Sequence, residues 1–301
     1  MKPFLLLLYL TMSVIGYSQK VDSIRYANGY LYYHSYGKGE PVLILTGGPG
    51  ASYLQLEEVA KRVGQTHHAL LLEQRGTGRS MPVPYDTSTI NIRTAHEDIL
   101  RLLDHLNIKK ASLLGHSWGG MLAMSFAAQH PQRVTSLLLI DSGPFSVDRN
   151  FSDIYSANME VRLSAPEKEQ RRKVFSAGKN NMTKEIQQEI YKWELVPVLY
   201  DRTKVDSLIQ VINKGELNPK TGAMLFQSFM KGSGGLKEKL IKLPVPVSII
   251  AGAQDPGAFM SYEIKQLIPQ ATIFWINRSG HFPMYEQPEE FYKALETVLP
   301  K

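Results

Sequence analysis

Apolar and polar positions follow two alternating patterns along this chain. Short apolar runs, typical of buried strands, are separated by longer stretches whose apolar positions recur about every 3.6 residues, as in amphipathic helices. The pattern predicts strands at 23–26, 30–36, 41–46, 69–72, 111–114, 134–140, 245–251 and 272–276, and helices at 53–63, 92–106, 121–130, 262–267 and 288–299. Alternating strands and helices indicate an α/β fold with a mostly parallel sheet covered on both faces.

Two parts of the chain depart from this alternation. The first two strands flank Asn28-Gly29, a strong signal for a β-hairpin. Between Ser142 and Leu240 the pattern is helical, richer in charge and without clear strands. We therefore expect a core made of residues 19–143 and 241–301, with residues 144–240 inserted as a helical cap.

The N-terminus has the pattern of a secretory signal peptide. Lys2 precedes a short apolar run, and Gly16 and Ser18 form a small-x-small site that predicts cleavage before Gln19. The apolar run is shorter than the ~20 residues of a membrane-spanning helix. We therefore expect residues 1–18 to be removed, and a periplasmic or secreted protein with no stable membrane insertion. Loss of Lys2, the one charge in this segment, lowers the net charge from +6 to +5.

The composition and charge exclude several kinds of site and partner. Hydrophobic residues make up 43% and charged residues 21%, which is typical of a soluble globular protein. The sequence contains no cysteine, so disulfides, thiolate metal sites and a cysteine nucleophile are excluded. The mild positive charge is not gathered into a basic stripe with interleaved aromatic residues, so we expect no nucleic-acid partner. Nothing in the pattern requires a metal or an organic cofactor.

A candidate nucleophile lies between a predicted strand and a predicted helix. Residues 115–119, Gly-His-Ser-Trp-Gly, fit the G-x-S-x-G motif, whose sharp turn exposes a serine above the end of the sheet. Glycine is required at 115 and 119, because a side chain there would collide with neighbouring backbone. We therefore predict Ser117 as the nucleophile of a hydrolase.

A serine hydroxyl needs a base, and the base needs a carboxylate. His281 follows the last predicted strand, and Asp255 follows the strand before it, which gives the chain order Ser, acid, His. Asp141, at the end of the sixth strand, is the alternative acid. His116 is expected to pack beneath the turn.

The transition state of acyl transfer carries an oxyanion, which is stabilised by two backbone N–H groups. Trp118 follows the nucleophile and would supply one of them. The other is expected from the glycine-rich loop after the strand 41–46, with Gly48 preferred and Gly47 as the alternative.

Three motifs together resemble the proline iminopeptidase branch of the α/β-hydrolases: Gly-Gly-Pro-Gly at 47–50, Gln-Arg-Gly-Thr-Gly-Arg-Ser at 74–80 and Gly-His-Ser-Trp-Gly-Gly at 115–120. The resemblance covers about residues 40–143 and 241–299. It implies an aminopeptidase whose cap holds the substrate's free amino group with acidic residues, one of them in a Trp-Glu pair similar to Trp193-Glu194. The resemblance therefore implies that Glu194 and Trp193 are substrate-binding residues.

The chain departs from that family at three places. Thr46 and Glu73 stand where the family has His and Asp, and residues 225–229 lack the second acidic motif of the cap. We therefore expect a small-molecule or short-peptide substrate, with a carboxylic ester or lactone hydrolase as the second hypothesis. The hypothesis from another class is a non-catalytic ligand-binding protein that keeps the fold.

Overall fold

The computed structural model describes residues 19–147, 149–215 and 217–300, so the predicted signal peptide lies outside the described residues. These residues form an eight-stranded sheet in the order β1-β2-β4-β3-β5-β6-β7-β8. The strands are β1 (Lys20–Tyr26), β2 (Gly29–Tyr36), β3 (Pro41–Leu45), β4 (His68–Leu72), β5 (Ala111–His116), β6 (Val134–Ile140), β7 (Val247–Gly252) and β8 (Thr272–Ile276).

The strand directions confirm a mostly parallel α/β sheet. β3 to β8 run parallel to one another, whereas β1 pairs antiparallel with β2, and β2 antiparallel with β4. The predicted hairpin is present, but its turn residues are Ala27 and Asn28, and Gly29 already pairs with Tyr26. The turn therefore lies one residue earlier than the Asn-Gly signal indicates.

Helices connect the parallel strands and cover the sheet. Within the described residues they are α1 (Glu57–Val63), α2 (Ile92–His105), α3 (Trp118–Gln129), α4 (Arg149–Val161), α5 (Ala165–Asn180), α6 (Lys184–Leu195), α7 (Val205–Asn213), α8 (Pro219–Gly232), α9 (Leu236–Ile241), α10 (Ala258–Leu267), α11 (Pro283–Glu286) and α12 (Pro288–Val298). Short 3₁₀ turns occupy Tyr53–Leu56, Pro131–Arg133 and Arg202–Lys204. No helix in this part of the chain has both the length and the apolar character needed to cross a membrane.

Helix α3 begins three residues before the position that the pattern predicts. Gly119 and Gly120 lower the intrinsic helix propensity there, which favoured a start at Met121. Packing overrides propensity, because a Cβ on Gly119 would lie 2.0 Å from the carbonyl oxygen of Leu45. Only glycine lets the first turn of α3 approach β3 so closely.

The core lies on both faces of the sheet, as the continuous apolar strands predict. Side chains alternate along β3: Leu43 and Leu45 pack into one buried cluster, with residues of α2, α3 and α10. Val42 and Ile44 pack into the other cluster, with residues of α1 and α12. The carboxyl ends of the parallel strands therefore lie side by side along one end of the sheet, which is called the sheet edge below.

The described residues between β6 and β7 form helices and 3₁₀ turns without strands. Among them, α5 packs on α6, and α6 packs on α7. The last two helices of this region also contact the core, since α8 packs on α2, and α9 on α3. The predicted cap, residues 144–240, thus contains one group of helices that packs together and two helices that also join a layer of the core.

Candidate active site

Ser117 lies in a strained turn between β5 and α3. Its backbone has φ 52° and ψ −116°, a left-handed conformation that non-glycine residues rarely adopt. The turn is held by the Ser117 N–H, which donates to the Ile140 carbonyl at 3.0 Å, and by the Gly143 N–H, which donates to the Ser117 carbonyl at 3.0 Å. A Cβ on Gly115 would lie 2.3 Å from the Gly119 carbonyl oxygen, so glycine is required there as predicted. Ser117 itself is half-buried at the sheet edge.

His281 and Asp255 are brought together by the loops after β8 and β7. The Nδ1 atom of His281 lies 2.8 Å from Oδ2 of Asp255, while Oδ1 of Asp255 accepts from the Gly257 N–H at 2.8 Å. Burial alone would raise the pKa of Asp255, but His281 and the Gly257 N–H together lower it below its usual value. Asp255 is therefore an ionised carboxylate that fixes the orientation of the His281 ring.

The turn at Ser117 is tied to the His281 loop through His116. The His116 ring is 1% exposed, and its Nε2 donates to the His281 carbonyl oxygen at 2.8 Å. Burial and the neighbouring His281 lower the pKa of His116 to about 3, so the ring is neutral. His116 packs beneath the turn as expected and sets the spacing between Ser117 and His281.

Asp141, the alternative acid, lies directly behind this pair. Its Oδ1 accepts from the Gly252 N–H at 2.9 Å, and no hydrogen bond joins it to the His281 ring among the described contacts. Asp141, Asp255 and His281 each place one oxygen or nitrogen within 4.8 Å of the others. That spacing would also suit a metal ion, but His281 and Asp255 already bind each other through Nδ1 and Oδ2.

The glycine-rich loop after β3 packs against the Ser117 turn. A Cβ on Gly47 would lie 3.0 Å from the Cβ of Ser117, and Gly48 has a left-handed φ of 55°. The Gly48 N–H has no backbone acceptor among the described residues. Trp118 is the first residue of α3, where an N–H has no partner within the helix. These two N–H groups are therefore free to bind an external oxyanion.

Gln74 connects the two sides of this N–H pair, a role that sequence analysis missed. Its Nε2 donates to the carbonyl and hydroxyl oxygens of Thr46 at 2.9 and 3.0 Å, and its Oε1 accepts from the Trp118 indole N–H at 3.1 Å. The motif at 74–80 carried a family resemblance but gave no sign of this contact. Glu73, the other departure from the family, is buried against His34 and the Arg79 N–H, at 2.8 Å from each.

Glu286 is a second residue that sequence analysis missed. It is 3% exposed, and its carboxylate accepts the N–H groups of Tyr200, Asp201 and Gly280 at 2.7, 2.8 and 2.6 Å. The His281 N–H donates to the Val198 carbonyl oxygen at 2.9 Å. The loop that carries His281 is thus bound to the segment after α6 on two sides. The sequence offered no signal for this, because Glu286 lies in a helix of only four residues.

Glu194 lines a cavity of about 670 Å³ beside the His281 loop, together with Tyr155, Arg171, Val198 and others. More than a third of Glu194 is exposed, but neighbouring protein atoms lie close enough to its carboxylate to desolvate it in part. This burial raises the pKa of Glu194, and the charge of Arg171 opposes the rise. Trp193 is not among the residues that line the cavity; it is half-buried and packs against the apolar cluster that includes Val42 and Ile44.

Tyr191, three residues before Glu194 on α6, reaches the glycine-rich loop from the cap. Its hydroxyl accepts from Gln55 Nε2 at 3.3 Å and would lie 3.9 Å from a Cβ on Gly48. One face of α6 therefore contributes both a carboxylate in the cavity and a hydroxyl beside the N–H pair. The sequence did not single out Tyr191, because a tyrosine on an amphipathic helix reads as a packing residue.

Comparisons with known proteins agree with this fold. A family model described as alpha/beta hydrolase fold matches residues 40–288. A putative esterase/lipase from Haemophilus influenzae is 25% identical over 264 residues, which cover 87% of this chain and 84% of that protein. A proline iminopeptidase from Clostridium botulinum is 24% identical over 297 residues, which cover 90% of this chain and 96% of that protein.

A solved structure gives the same picture of the fold. An alpha/beta fold family hydrolase from Bacillus anthracis aligns with a TM-score of 0.74 at 20% identity, covering 93% of this chain and 99% of the other. Further relatives named proline iminopeptidase, from Lacticaseibacillus rhamnosus and Heyndrickxia coagulans, are 26% and 25% identical over 290 residues. The resemblance to that branch is thereby confirmed, at low identity.

Proposed function

The chain belongs to the alpha/beta hydrolase fold family, and we propose that it is a serine hydrolase that forms an acyl-enzyme at Ser117. The observation that carries this proposal is the 2.8 Å contact between His281 Nδ1 and Asp255 Oδ2, next to a serine held in a strained turn. In this mechanism Nε2 of His281 removes the Ser117 proton as Oγ attacks a carbonyl carbon. Asp255 stabilises the imidazolium that results.

The same arrangement supports the second half of the reaction. The N–H groups of Gly48 and Trp118 stabilise the oxyanion of each tetrahedral intermediate. His281 returns its proton to the leaving group, then activates a water molecule that hydrolyses the acyl-enzyme. Gln74 positions both N–H groups, because it bonds to Thr46 on one side and to the Trp118 ring on the other.

For the substrate, the leading proposal is removal of an N-terminal residue from a short peptide. Glu194 supports it, because a carboxylate inside a cavity beside the His281 loop is a suitable partner for a substrate ammonium group. In this proposal Glu194 binds the ammonium. Trp193, which the resemblance also assigns to substrate binding, packs against the apolar cluster that includes Val42 and Ile44 and does not line the cavity.

Hydrolysis of a carboxylic ester or lactone is the second candidate. Arg171 lines the same cavity, and its positive charge opposes that of an incoming ammonium group. Arg171 would suit an acidic or neutral substrate, and the similar protein from Haemophilus influenzae is named a putative esterase/lipase.

Two experiments test these proposals in turn. A fluorophosphonate probe should label the purified protein, and the Ser117→Ala variant should not react. Absence of labelling in a folded wild-type protein would instead favour the non-catalytic ligand-binding hypothesis. A screen that sets aminoacyl-arylamides against aryl esters of the same acyl size then decides between the two substrate classes.

We also propose that the protein is exported, with cleavage between Ser18 and Gln19. The supporting observation is the pattern of Lys2, an apolar run and a small-x-small site. N-terminal sequencing of the exported protein should begin within a residue or two of Gln19. Full-length protein confined to the cytoplasm would exclude export.

A further inference from the structure

Asp141 has a buried carboxyl oxygen without a donor. Asp141 follows β6 with a left-handed φ of 36° and is 3% exposed. Its Oδ1 accepts the Gly252 N–H, but its Oδ2 is fully buried and has no hydrogen-bond partner among the described residues. A carboxylate oxygen in that position would be desolvated without compensation, which is costly.

The carboxyl group of Asp255 is a nearby acceptor, and a hydrogen bond to it from a protonated Asp141 would remove this desolvation cost. The two acids lie within 4.8 Å of each other through one oxygen each, and both are buried. A second carboxylate so near in a buried site disfavours ionisation of both acids, so the pKa of one of them is raised and that acid holds its proton more tightly. Asp255 is already bound to His281 and to the Gly257 N–H, which favour its ionised form.

The surroundings of Asp141 also favour its neutral form. Burial and the charge of Asp255 raise the pKa of Asp141 well above its usual value, and the Gly252 N–H opposes them only in part. Glu286 is another ionisable group that acts on Asp141, and its negative charge also raises the pKa of Asp141. Tyr155 lies near enough for Asp141 to raise the pKa of its phenol in turn. No cation is among the influences on Asp141 that the described residues supply.

We propose that Asp141 is a positioning residue that keeps its proton at neutral pH and donates it as a hydrogen bond to Asp255. The network behind the nucleophile then has four members, Ser117, His281, Asp255 and Asp141. The proposal rests on the proposed function, because it assigns Asp141 to the orientation of that same catalytic acid. The Asp141 hydroxyl would hold the Asp255 carboxylate in the plane that meets His281, and the network would carry one negative charge instead of two.

Two substitutions of Asp141 distinguish the loss of its hydrogen bond from a change in its backbone conformation. Asp141→Asn keeps the shape and a donor but cannot ionise, and asparagine tolerates a left-handed φ. Asp141→Gly also tolerates this φ but removes the donor. Both proteins are assayed for kcat/KM against pH on an aryl ester, and circular dichroism and thermal melting confirm that each one folds.

We expect the asparagine variant to stay within about threefold of wild type, and the glycine variant to lose at least about tenfold, mainly in kcat. The decisive readout is the acid limb of the pH profile, which reports protonation of the catalytic base. If Asp141 is neutral, Asp141→Asn shifts that limb by less than about 0.3 pH units. If Asp141 is ionised, loss of its charge moves the limb to lower pH by about one to two units, which would overturn the proposal. Equal activity of the glycine and asparagine variants would also overturn it.

A control and a spectroscopic measurement complete the test. Asp104→Asn makes the same chemical change at an exposed position on α2, where solvent screens the lost charge, so the limb should not move. Infrared difference spectra of wild type minus Asp141→Asn should contain the C=O band of a protonated carboxyl, and its absence would contradict the proposal without reference to activity. Ser117→Ala tests the proposed function independently, so the two can fail separately.

Discussion

The sheet edge and the cap cavity hold their acidic groups in opposite ways. At the sheet edge, both oxygens of Asp255 accept hydrogen bonds, and Glu286 accepts three backbone N–H groups. In the cavity, Glu194 forms no ion pair within 4 Å among the described residues and remains open to water. The hydrogen bonds fix the carboxylates of Asp255 and Glu286 in one orientation, whereas the carboxylate of Glu194 can still bind a group on a ligand. The proposed function therefore assigns catalysis to the sheet edge and substrate selectivity to the cavity.

The two regions are nevertheless joined at the candidate active site. Glu286 binds the N–H groups of Tyr200 and Asp201, which follow α6, and also that of Gly280, beside His281. The Val198 carbonyl accepts from the His281 N–H and also lies at the wall of the cavity. The segment after α6 is thus joined to the His281 loop by a short, buried set of hydrogen bonds.

The largest expected effect comes from the edge. Ser117→Ala and His281→Ala should each lower kcat by about 10⁴ to 10⁶, and the double variant by little more, because the members of a triad act as a unit. Steady-state kinetics and thermal melting together check that the losses are catalytic. Near-normal turnover by a folded Ser117→Ala protein would exclude the acyl-enzyme.

The next largest effect distinguishes the two acids. Asp255→Asn should cost about 10⁴ in kcat, because an amide favours the wrong imidazole tautomer and cannot stabilise the imidazolium. Asp141→Asn should cost far less, since a donor remains at that position. Parallel kinetics on one substrate measure both, and reversed magnitudes would move the catalytic acid to the end of β6.

A smaller effect is expected where edge and cap are joined. Glu286→Gln places an NH₂ group among three N–H donors, and we expect a loss of about 3 kcal/mol in the free energy of unfolding. Urea denaturation followed by fluorescence measures it. Glu296→Gln is the matched control on α12, where an exposed pair with Arg62 predicts a change of less than about 0.5 kcal/mol. Equal stability of the two variants would show that Glu286 is not essential to the junction.

A substitution of Glu194 in the cavity should slow the cleavage only of substrates that carry an amine. Glu194→Gln deletes the charge and keeps the shape, and we expect about a thirtyfold loss in kcat/KM for substrates with a free α-amine, from a lost ion pair of about 2 kcal/mol. Simple esters should be cleaved within about twofold of wild type. Glu189→Gln, an exposed position on the same helix, is the matched control. An equal, small effect on both substrates would favour the ester hydrolase.

The smallest effect is a difference between two pH profiles. The pKa of Glu194 is raised above 4.5, so its carboxylate, and with it amine binding, is lost as the pH falls through that raised value. Amine substrates should also bind more weakly above about pH 8, where the α-amino group loses its proton. The ratio of arylamide to ester activity should therefore peak between these limits, and a flat ratio would remove Glu194 from substrate recognition.

Local patterns were sufficient for the elements that carry the chemistry. The strands Val134–Ile140 and Thr272–Ile276 have the predicted bounds, and β3 ends one residue before its predicted end. The G-x-S-x-G motif predicted a tight turn, because a Cβ on Gly115 would collide with the backbone of Gly119, only four residues away. The requirement for glycine at 119 comes from the closeness of β3, which the strand–turn–helix context implies. Asp255 and His281 could be paired in advance, because the ends of parallel strands meet at one edge.

Contacts between residues far apart in the chain could not be predicted from local sequence patterns. Gln74 touches Thr46 and Trp118 across 28 and 44 residues of sequence, and Tyr191 reaches Gln55 across 136. Trp193 and Glu194 are adjacent in sequence, yet one packs against the apolar cluster and the other opens into the cavity. A helix turns about 100° per residue, so neighbouring side chains point in different directions, and only the packing of α6 decides which of them meets the cavity.

The sequence by itself thus determined the α/β fold, the strained turn at Ser117 and the pairing of Asp255 with His281. Each of these follows from residue spacing and backbone sterics, which act over a few positions or through a repeated strand–helix unit. The tertiary structure decided the burial of Asp141 beside Asp255, the anchoring of the His281 loop by Glu286 and the accessibility of Glu194. These depend on desolvation and on hydrogen bonds between loops far apart in sequence, and such terms take a definite value only once the chain has folded.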